Sequence, residues 1–216
     1  MTGTSAHTIG TSRFPAVILA GGRSSRMGAN KALVPFGRQP LLDHIIDRLR
    51  LQVSAIVINA VPGWAEDRGF PVVPDSLPDQ PGPLAGVLAG LRHARSAYPD
   101  VTHLLSVPAD SPFFPADLAA RLSQVLDDTD TIAIAASDGR EHPVFGLWPV
   151  SIADDLAAWL AQEENRRVRS FLARHRLREV LFPLIDTPHG PLDPFFNINT
   201  PDDLSRARLF LETLEE

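Results

Sequence analysis

The chain alternates short, continuous apolar runs with stretches in which apolar residues recur every three or four positions. Ala16-Val-Ile-Leu-Ala20 is such a run, closed by Gly21-Gly22, the pattern of a strand buried on both faces. Ala55-Ile-Val-Ile-Asn59, His103-Leu-Leu-Ser-Val107 and Thr131-Ile-Ala-Ile-Ala135 read the same way, and Phe70-Pro-Val-Val-Pro74 is a shorter example. His142 to Trp148 reads as extended, and Arg178 to Pro183 as a late strand. Between the runs the period changes. Leu42, Ile45, Ile46 and Leu49 mark one face of a helix over Leu41 to Leu51. Leu84, Val87, Leu88 and Leu91 do so over Pro83 to Tyr98, and Leu118, Leu122 and Val125 over Pro115 to Leu126. Further helices are predicted at Ser151 to Ala161, Val168 to His175 and Asp202 to Leu214. Strand and helix in alternation predict an α/β fold: a single-domain three-layer sandwich, with a mostly parallel sheet and helices on both faces.

Composition narrows this reading. The 216 residues are 44% hydrophobic and 21% charged, ordinary for a globular chain with a core of its own. Lys plus Arg number 20 against 26 Asp plus Glu, a net charge of −6, so the broad basic footprint of a nucleic-acid binder is missing. The chain has no cysteine, which excludes disulfides, thiolate metal sites, iron–sulfur clusters and a cysteine nucleophile. No run approaches the ~20 apolar residues of a membrane span, and the polar start of the chain lacks a secretory h-region. A cytoplasmic protein follows as the expectation. Residues 1–14 read as a flexible leader and 15–216 as the single domain.

In a parallel α/β sheet ligands bind at the carboxyl ends of the strands, so the chemistry is sought there. The first strand leads into Gly-Gly-Arg-Ser-Ser-Arg-Met-Gly-Ala-Asn-Lys31, three glycines with Arg23, Arg26 and Lys31. Glycines let backbone N–H groups approach a phosphate and the cations neutralise it. The loop is neither a Walker A sequence nor a dinucleotide fingerprint. Asn59 ends the second strand, where its amide either reads a base edge or caps a turn. Asp75 follows the third strand and accepts hydrogen bonds either from a nucleoside or from the segment it precedes. Gly82, Gly86 and Gly90 recur every four residues on one helix face, for close helix–sheet packing or for a flat ligand. Asp110, in Pro108-Ala-Asp-Ser-Pro112, stands at the tip of the fourth strand, either as an Asx turn or as a carboxylate for Mg²⁺ beside phosphates. Neither a zinc spacing nor a Gly-x-Ser-x-Gly elbow occurs. Asn165-Arg166-Arg167-Val168-Arg169 is basic, either a solvated surface or a site for an anionic second substrate. Thr200, Pro201 and Asp203 form an N-cap, a first-turn proline and a capping box, which leaves Asn197 and Asn199 unexplained and on one face if extended.

Taken together, Leu19-Ala-Gly-Gly-Arg-Ser-Ser-Arg-Met-Gly with Lys31, Asp75-Ser-Leu, Pro81-Gly-Pro-Leu-Ala-Gly86, Pro108-Ala-Asp-Ser-Pro112, His142-Pro143, Arg166-Arg167-Val168 and Asn197-Ile-Asn-Thr-Pro-Asp-Asp-Leu204 resemble the molybdenum cofactor guanylyltransferases, the MobA-like family of the nucleotidyltransferase superfamily. The resemblance spans Val17 to Leu204 and implies a Rossmann-like nucleotidyltransferase fold. It implies transfer of GMP from GTP to the terminal phosphate of molybdenum–molybdopterin, with pyrophosphate released. By the same resemblance Leu19, Ala20, Gly21, Gly22 and Gly82 would contact the nucleotide, and Asn59 and Asp75 its guanosine. Lys31 and Arg26 would act at the phosphates and Asp110 would hold Mg²⁺. Arg166, Arg167, Asn197 and Asn199 would face the pterin, and acceptor molybdoenzymes or their chaperones are implied as partners. The same residues leave open a pterin cytidylyltransferase, a sugar-1-phosphate nucleotidyltransferase and a non-catalytic cofactor carrier. Asp193, close in sequence to the asparagine pair, is a candidate second metal carboxylate.

Overall fold

A computed structural model describes residues 14–21, 31–75, 82–162 and 167–215. The sheet strands are β1 (Ala16–Leu19), β4 (Ile56–Asn59), β5 (Val72–Val73), β6 (His103–Pro108), β7 (Ile132–Ser137), β8 (Arg140–Pro149) and β9 (Leu177–Leu181). β2 (Pro35–Phe36) and β3 (Gln39–Pro40) form a separate small hairpin. The helices are α1 (Leu41–Leu49), α2 (Pro83–Ala97), α3 (Leu118–Ser123), α4 (Ala153–Leu160), α5 (Val168–Leu172) and α6 (Pro201–Glu215). The seven strands lie in the order β5-β4-β1-β6-β8-β7-β9. All neighbouring pairs are parallel except those of β8, which runs antiparallel to both β6 and β7.

Alternation along each strand builds two cores. Ile18, Ile58, Val107, Ala135 and Leu147 point to the side covered by Ile45 and Leu49 of α1 and Leu118 and Leu122 of α3. Val17, Val57, Leu104, Ile134 and Trp148 point to the other, under Leu88 and Leu91 of α2, Leu156 of α4 and Phe171 of α5. A third cluster joins Phe36 of the hairpin, Phe113, Ile198 and the α6 residues Ala207 and Phe210. The three-layer α/β sandwich expected from the periodicity is the observed one.

The differences have physical causes. The third strand shrinks to two residues because Pro71 and Pro74 flank Val72–Val73 and neither can donate to the ladder. The helix expected from Pro115 starts only at Leu118, and the one expected from Ser151 opens with a 3-10 turn over Val150–Ile152. In β8 the register jumps from Ile134↔Gly146 to Ala135↔His142, so Pro143, Val144 and Phe145 loop out. The looped-out carbonyl of Val144 accepts the Ser106 hydroxyl at 2.7 Å, and Trp148 Nε1 donates to the same hydroxyl oxygen at 2.8 Å. Phe14 docks on the domain: its carbonyl accepts Ser54 N–H at 3.0 Å and its ring meets His103 edge-on at 5.7 Å. Of the flexible leader expected over residues 1–14, residues 1–13 lie outside the described residues, and Phe14 belongs to the packed domain instead. No described helix is long and apolar enough to cross a membrane.

His103 is 1% exposed and donates Nε2–H to the Thr131 carbonyl at 3.0 Å. Burial pushes its pKa below the ordinary histidine value, against the Thr131 carbonyl and the more weakly opposing Asp128 and Asp130. A group whose folded pKa is depressed stabilises fully above its unfolded value and loses that contribution as pH falls through the folded one. Wild-type melting temperature should therefore fall from pH 7 toward pH 5, and less steeply in His103→Gln. Equal slopes in the two proteins would assign the acid sensitivity elsewhere.

Candidate active site

The carboxyl ends of β1, β4, β5 and β6 share one edge of the sheet, and most of the sequence-predicted residues meet there. Leu19 and Ala20 are held by their backbone: Ala109 N–H donates to Leu19 O at 3.1 Å and Ala20 N–H to Asn59 O at 2.9 Å. Gly21 comes next in the chain and ends the described part of this segment. Gly22 and Arg26 lie outside the described residues, as does Arg166.

Asn59 is 3% exposed, and its side chain is used internally. Its Nδ2 donates to Val73 O at 3.1 Å and to Asp75 Oδ1 at 2.8 Å. Its Oδ1 sits against two glycines: a Cβ on Gly21 would lie 3.0 Å from it and a Cβ on Gly86 only 2.3 Å. The residue type alone leaves a base edge or a turn cap for Asn59, and the resemblance implies a contact with the guanosine. What the structure shows it doing is placing Asp75, which is half-buried and accepts through Oδ1. Gly82 has a different reason from Gly86: it is the N-cap of α2 with φ +93°, and open space surrounds its α-carbon.

The densest polar contact joins three distant parts of the chain. Lys31, in a 3-10 turn over Lys31–Leu33, places Nζ 2.7 Å from Asp110 Oδ2, 2.9 Å from Asn199 Oδ1 and 3.5 Å from Asn197 Oδ1. Asn197 and Asn199 are exposed while Ile198 between them is fully buried, the alternation of an extended segment with both amides on one face. Ile198 N–H also donates to the Asp110 carbonyl at 2.9 Å, so the metal candidate and the asparagine pair are tied through backbone. On the far side, Asp203 Oδ2 accepts Asn199 N–H at 3.0 Å and Thr200 N–H at 2.9 Å, and Thr200 Oγ1 accepts Asp203 N–H at 3.1 Å. This is the expected capping box. Burial opposes the Asp203 charge, but these N–H donors, the Thr200 hydroxyl and nearby Lys31 hold its pKa below the ordinary value.

Three oxygens thus converge on one cation. Among the described residues, Asp110 Oδ1 accepts from the Ser111 hydroxyl at a long 3.5 Å. A carboxylate with amide oxygens beside it is a hard oxygen-donor set of the kind that suits Mg²⁺, which keeps few protein ligands. No group of three or more His, Cys, Asp or Glu is gathered as a metal cage among the described residues. Arg167 stands exposed at the N-cap of α5 and makes no hydrogen bond or ion pair with the Lys31 cluster. Asp193, the other carboxylate candidate, is engaged elsewhere: its Oδ1 accepts the Ser137 hydroxyl at 2.7 Å and Phe195 N–H at 2.9 Å. The sequence reading missed Ser137; an Asp two residues before a turn amide was the signal available for its partner.

A mostly parallel α/β sandwich thus brings a lysine, a carboxylate and two amides together beside the carboxyl end of β6. The family model described as MobA-like NTP transferase domain matches residues 16–180. The chain belongs to that family. It is 55% identical to the molybdenum cofactor guanylyltransferase of Rhizobium rhizogenes, over 93% of this chain and 94% of the relative. It is 53% identical to that of Sinorhizobium fredii, over 97% of each. Among solved structures, molybdopterin-guanine dinucleotide biosynthesis protein A from Archaeoglobus fulgidus shares the fold with a TM-score of 0.66 at 22% identity, over 92% of this chain and 99% of that one.

Proposed function

We propose that this protein transfers GMP from GTP to the terminal phosphate of molybdenum–molybdopterin, giving the guanine dinucleotide cofactor and pyrophosphate. The observation that carries this reading is the convergence of Lys31, Asp110, Asn197 and Asn199 at the strand ends, in a chain 55% identical to a guanylyltransferase. An oxygen of the pterin's terminal phosphate bonds to the α-phosphorus of GTP, and the bond from that phosphorus to the bridging oxygen of pyrophosphate breaks. The protein takes no covalent part. Its work is positioning and charge compensation, as in other phosphoryl transfers.

The residues divide this work. Leu19, Ala20, Gly21, Gly22 and Gly82 line the nucleotide, and Asp75, aimed by Asn59, accepts from the guanine N–H donors. Lys31, paired with Asp110 in this structure, acts at the phosphates together with Arg26, and Asp110 would hold Mg²⁺. When bound, Mg²⁺ supplies positive charge against the developing pyrophosphate. Asn197, Asn199, Arg166 and Arg167 face the pterin phosphate.

The test is purified protein with Mg²⁺, molybdenum–molybdopterin and GTP, CTP or ATP in turn, following pyrophosphate and the mass of the dinucleotide. Pyrophosphate with GTP alone and a guanine dinucleotide is the expected result. Turnover with CTP instead would make it a cytidylyltransferase. Pterin binding without turnover of any nucleotide would make it a carrier, and turnover only with a sugar 1-phosphate would move it to that class.

A further inference from the structure

Two groups at the active edge take no part in that chemistry: the hairpin between β7 and β8, and Asp193. They are joined. β7 ends at Ser137, Asp138 and Gly139 turn with φ +44° and +70°, and β8 returns through Arg140, Glu141 and His142. Ser137 is fully buried and its hydroxyl lies 2.7 Å from Asp193 Oδ1 and 2.7 Å from His142 Nε2. The hydroxyl has one proton and the carboxylate can only accept. The proton therefore goes to Asp193, and His142 donates its own Nε2–H to the Ser137 oxygen. Asp193 also accepts Phe195 N–H at 2.9 Å, and the Phe195 ring lies 4.7 Å from the His142 ring and 4.7 Å from that of Phe145. The chain from Asp193 to Phe195 is thus fixed in both its polar and its apolar contacts two residues before Asn197.

The opposite face of the same hairpin holds the other basic element. Successive strand residues point to opposite faces. His142 faces Phe195, and Glu141 beside it accepts Arg169 Nε at 2.9 Å in a solvent-exposed ion pair with the helix that Arg167 caps. One hairpin therefore holds the Asp193–Phe195 segment and contacts the helix beside Arg167.

We infer that the β7–β8 hairpin is the platform of the second-substrate half of the site, with Ser137 and Asp193 as positioning residues that set Asn197 and Asn199 against Lys31. This deepens the function proposed above and rests on it. Asp193 acts here through Oδ1, which accepts from Ser137 and Phe195, while its Oδ2 lies 3.8 Å from His142 Nε2. Asn at 193 keeps that oxygen; Ala does not.

The experiment compares Ser137→Ala, Asp193→Ala, their double variant and Asp193→Asn in the full chain. Initial rates with GTP and molybdenum–molybdopterin give both KM values, and amide hydrogen exchange is followed over residues 195–199. Ser137→Ala and Asp193→Ala should raise KM for the pterin about tenfold, leave KM for GTP within about twofold, and speed exchange at Ile198. The double variant should be no worse than Asp193→Ala, because the two residues form one contact. Asp193→Asn should restore pterin KM and exchange to near wild type. Three results would overturn the inference: both KM values rising together, unchanged exchange in Asp193→Ala, or Asp193→Asn as impaired as Asp193→Ala. If the wild type turned over no nucleotide, the functional reading would fall, and exchange would still decide whether Ser137 and Asp193 hold the asparagine turn.

Discussion

Asp110→Asn should fold as the wild type does and lose about a hundredfold in turnover, the size of effect seen when one preorganised electrostatic contact is removed from a phosphoryl- or acyl-transfer site. The substitution preserves shape. The Asp110 carbonyl still accepts Ile198 N–H, and the new amide oxygen still accepts from Lys31. What is lost is charge. The Lys31–Asp110 pair is partly exposed, with side chains 16% and 23% accessible, so its share of stability is about 1 kcal/mol or less. Melting temperature should move by only a few degrees. Turnover is a different matter, because the departing pyrophosphate gathers charge where Asp110 would hold the metal. The measurement is kcat at saturating GTP, pterin and Mg²⁺, with the melting temperature beside it. Near-wild-type kcat would remove Asp110 from the metal and leave it only as the counter-charge of Lys31.

That expectation depends on residues whose proximity no local pattern could announce. Asp110 was legible as a carboxylate after an apolar strand, and Asn197 and Asn199 as a pair spared by the capping box at Thr200. Lys31 lies 79 residues from Asp110 and 168 from Asn199, and only the fold brings them within 3 Å. The same distinction runs through the sheet. β1, β4 and β6 are buried on both faces, so their apolar runs show as strands without reference to any neighbour. The direction of β8 is set by its turn. Asp138-Gly139 between two extended segments is the two-residue hairpin signal, and both residues have positive φ. Read with that signal, the sheet would have been expected as mixed at this point. Asn59 teaches the converse. An amide at a strand end has two plausible uses, and the structure shows the internal one, with Asn59 set against Gly21 and Gly86 and bonded to Val73 and Asp75.

Gly86→Ala should therefore be the most informative change on the nucleotide side. The added Cβ would lie 2.3 Å from Asn59 Oδ1 and 2.8 Å from Leu19 Cδ2. Alanine gains about 1 kcal/mol over glycine in a helix interior, and overpacking costs about 1–3 kcal/mol. Leu19 can rotate away, but Asn59 cannot retreat without breaking its bonds to Val73 and Asp75. The net stability loss should be small, about 0–2 kcal/mol by these two magnitudes. The functional loss should be larger: with Asp75 unheld, KM for GTP should rise about tenfold while KM for the pterin stays put. Gly90→Ala is the matched control one turn along the same helix. Its Cβ would meet Val17 Cβ and Leu104 Cδ2, each at 2.8 Å, inside the core and away from Asn59. Val17 is β-branched and fully buried, so Gly90→Ala should cost at least as much stability as Gly86→Ala and leave KM for GTP unchanged. If both variants raised KM for GTP equally, the loss would come from a loosened sheet and Asn59 would have no special part in placing Asp75.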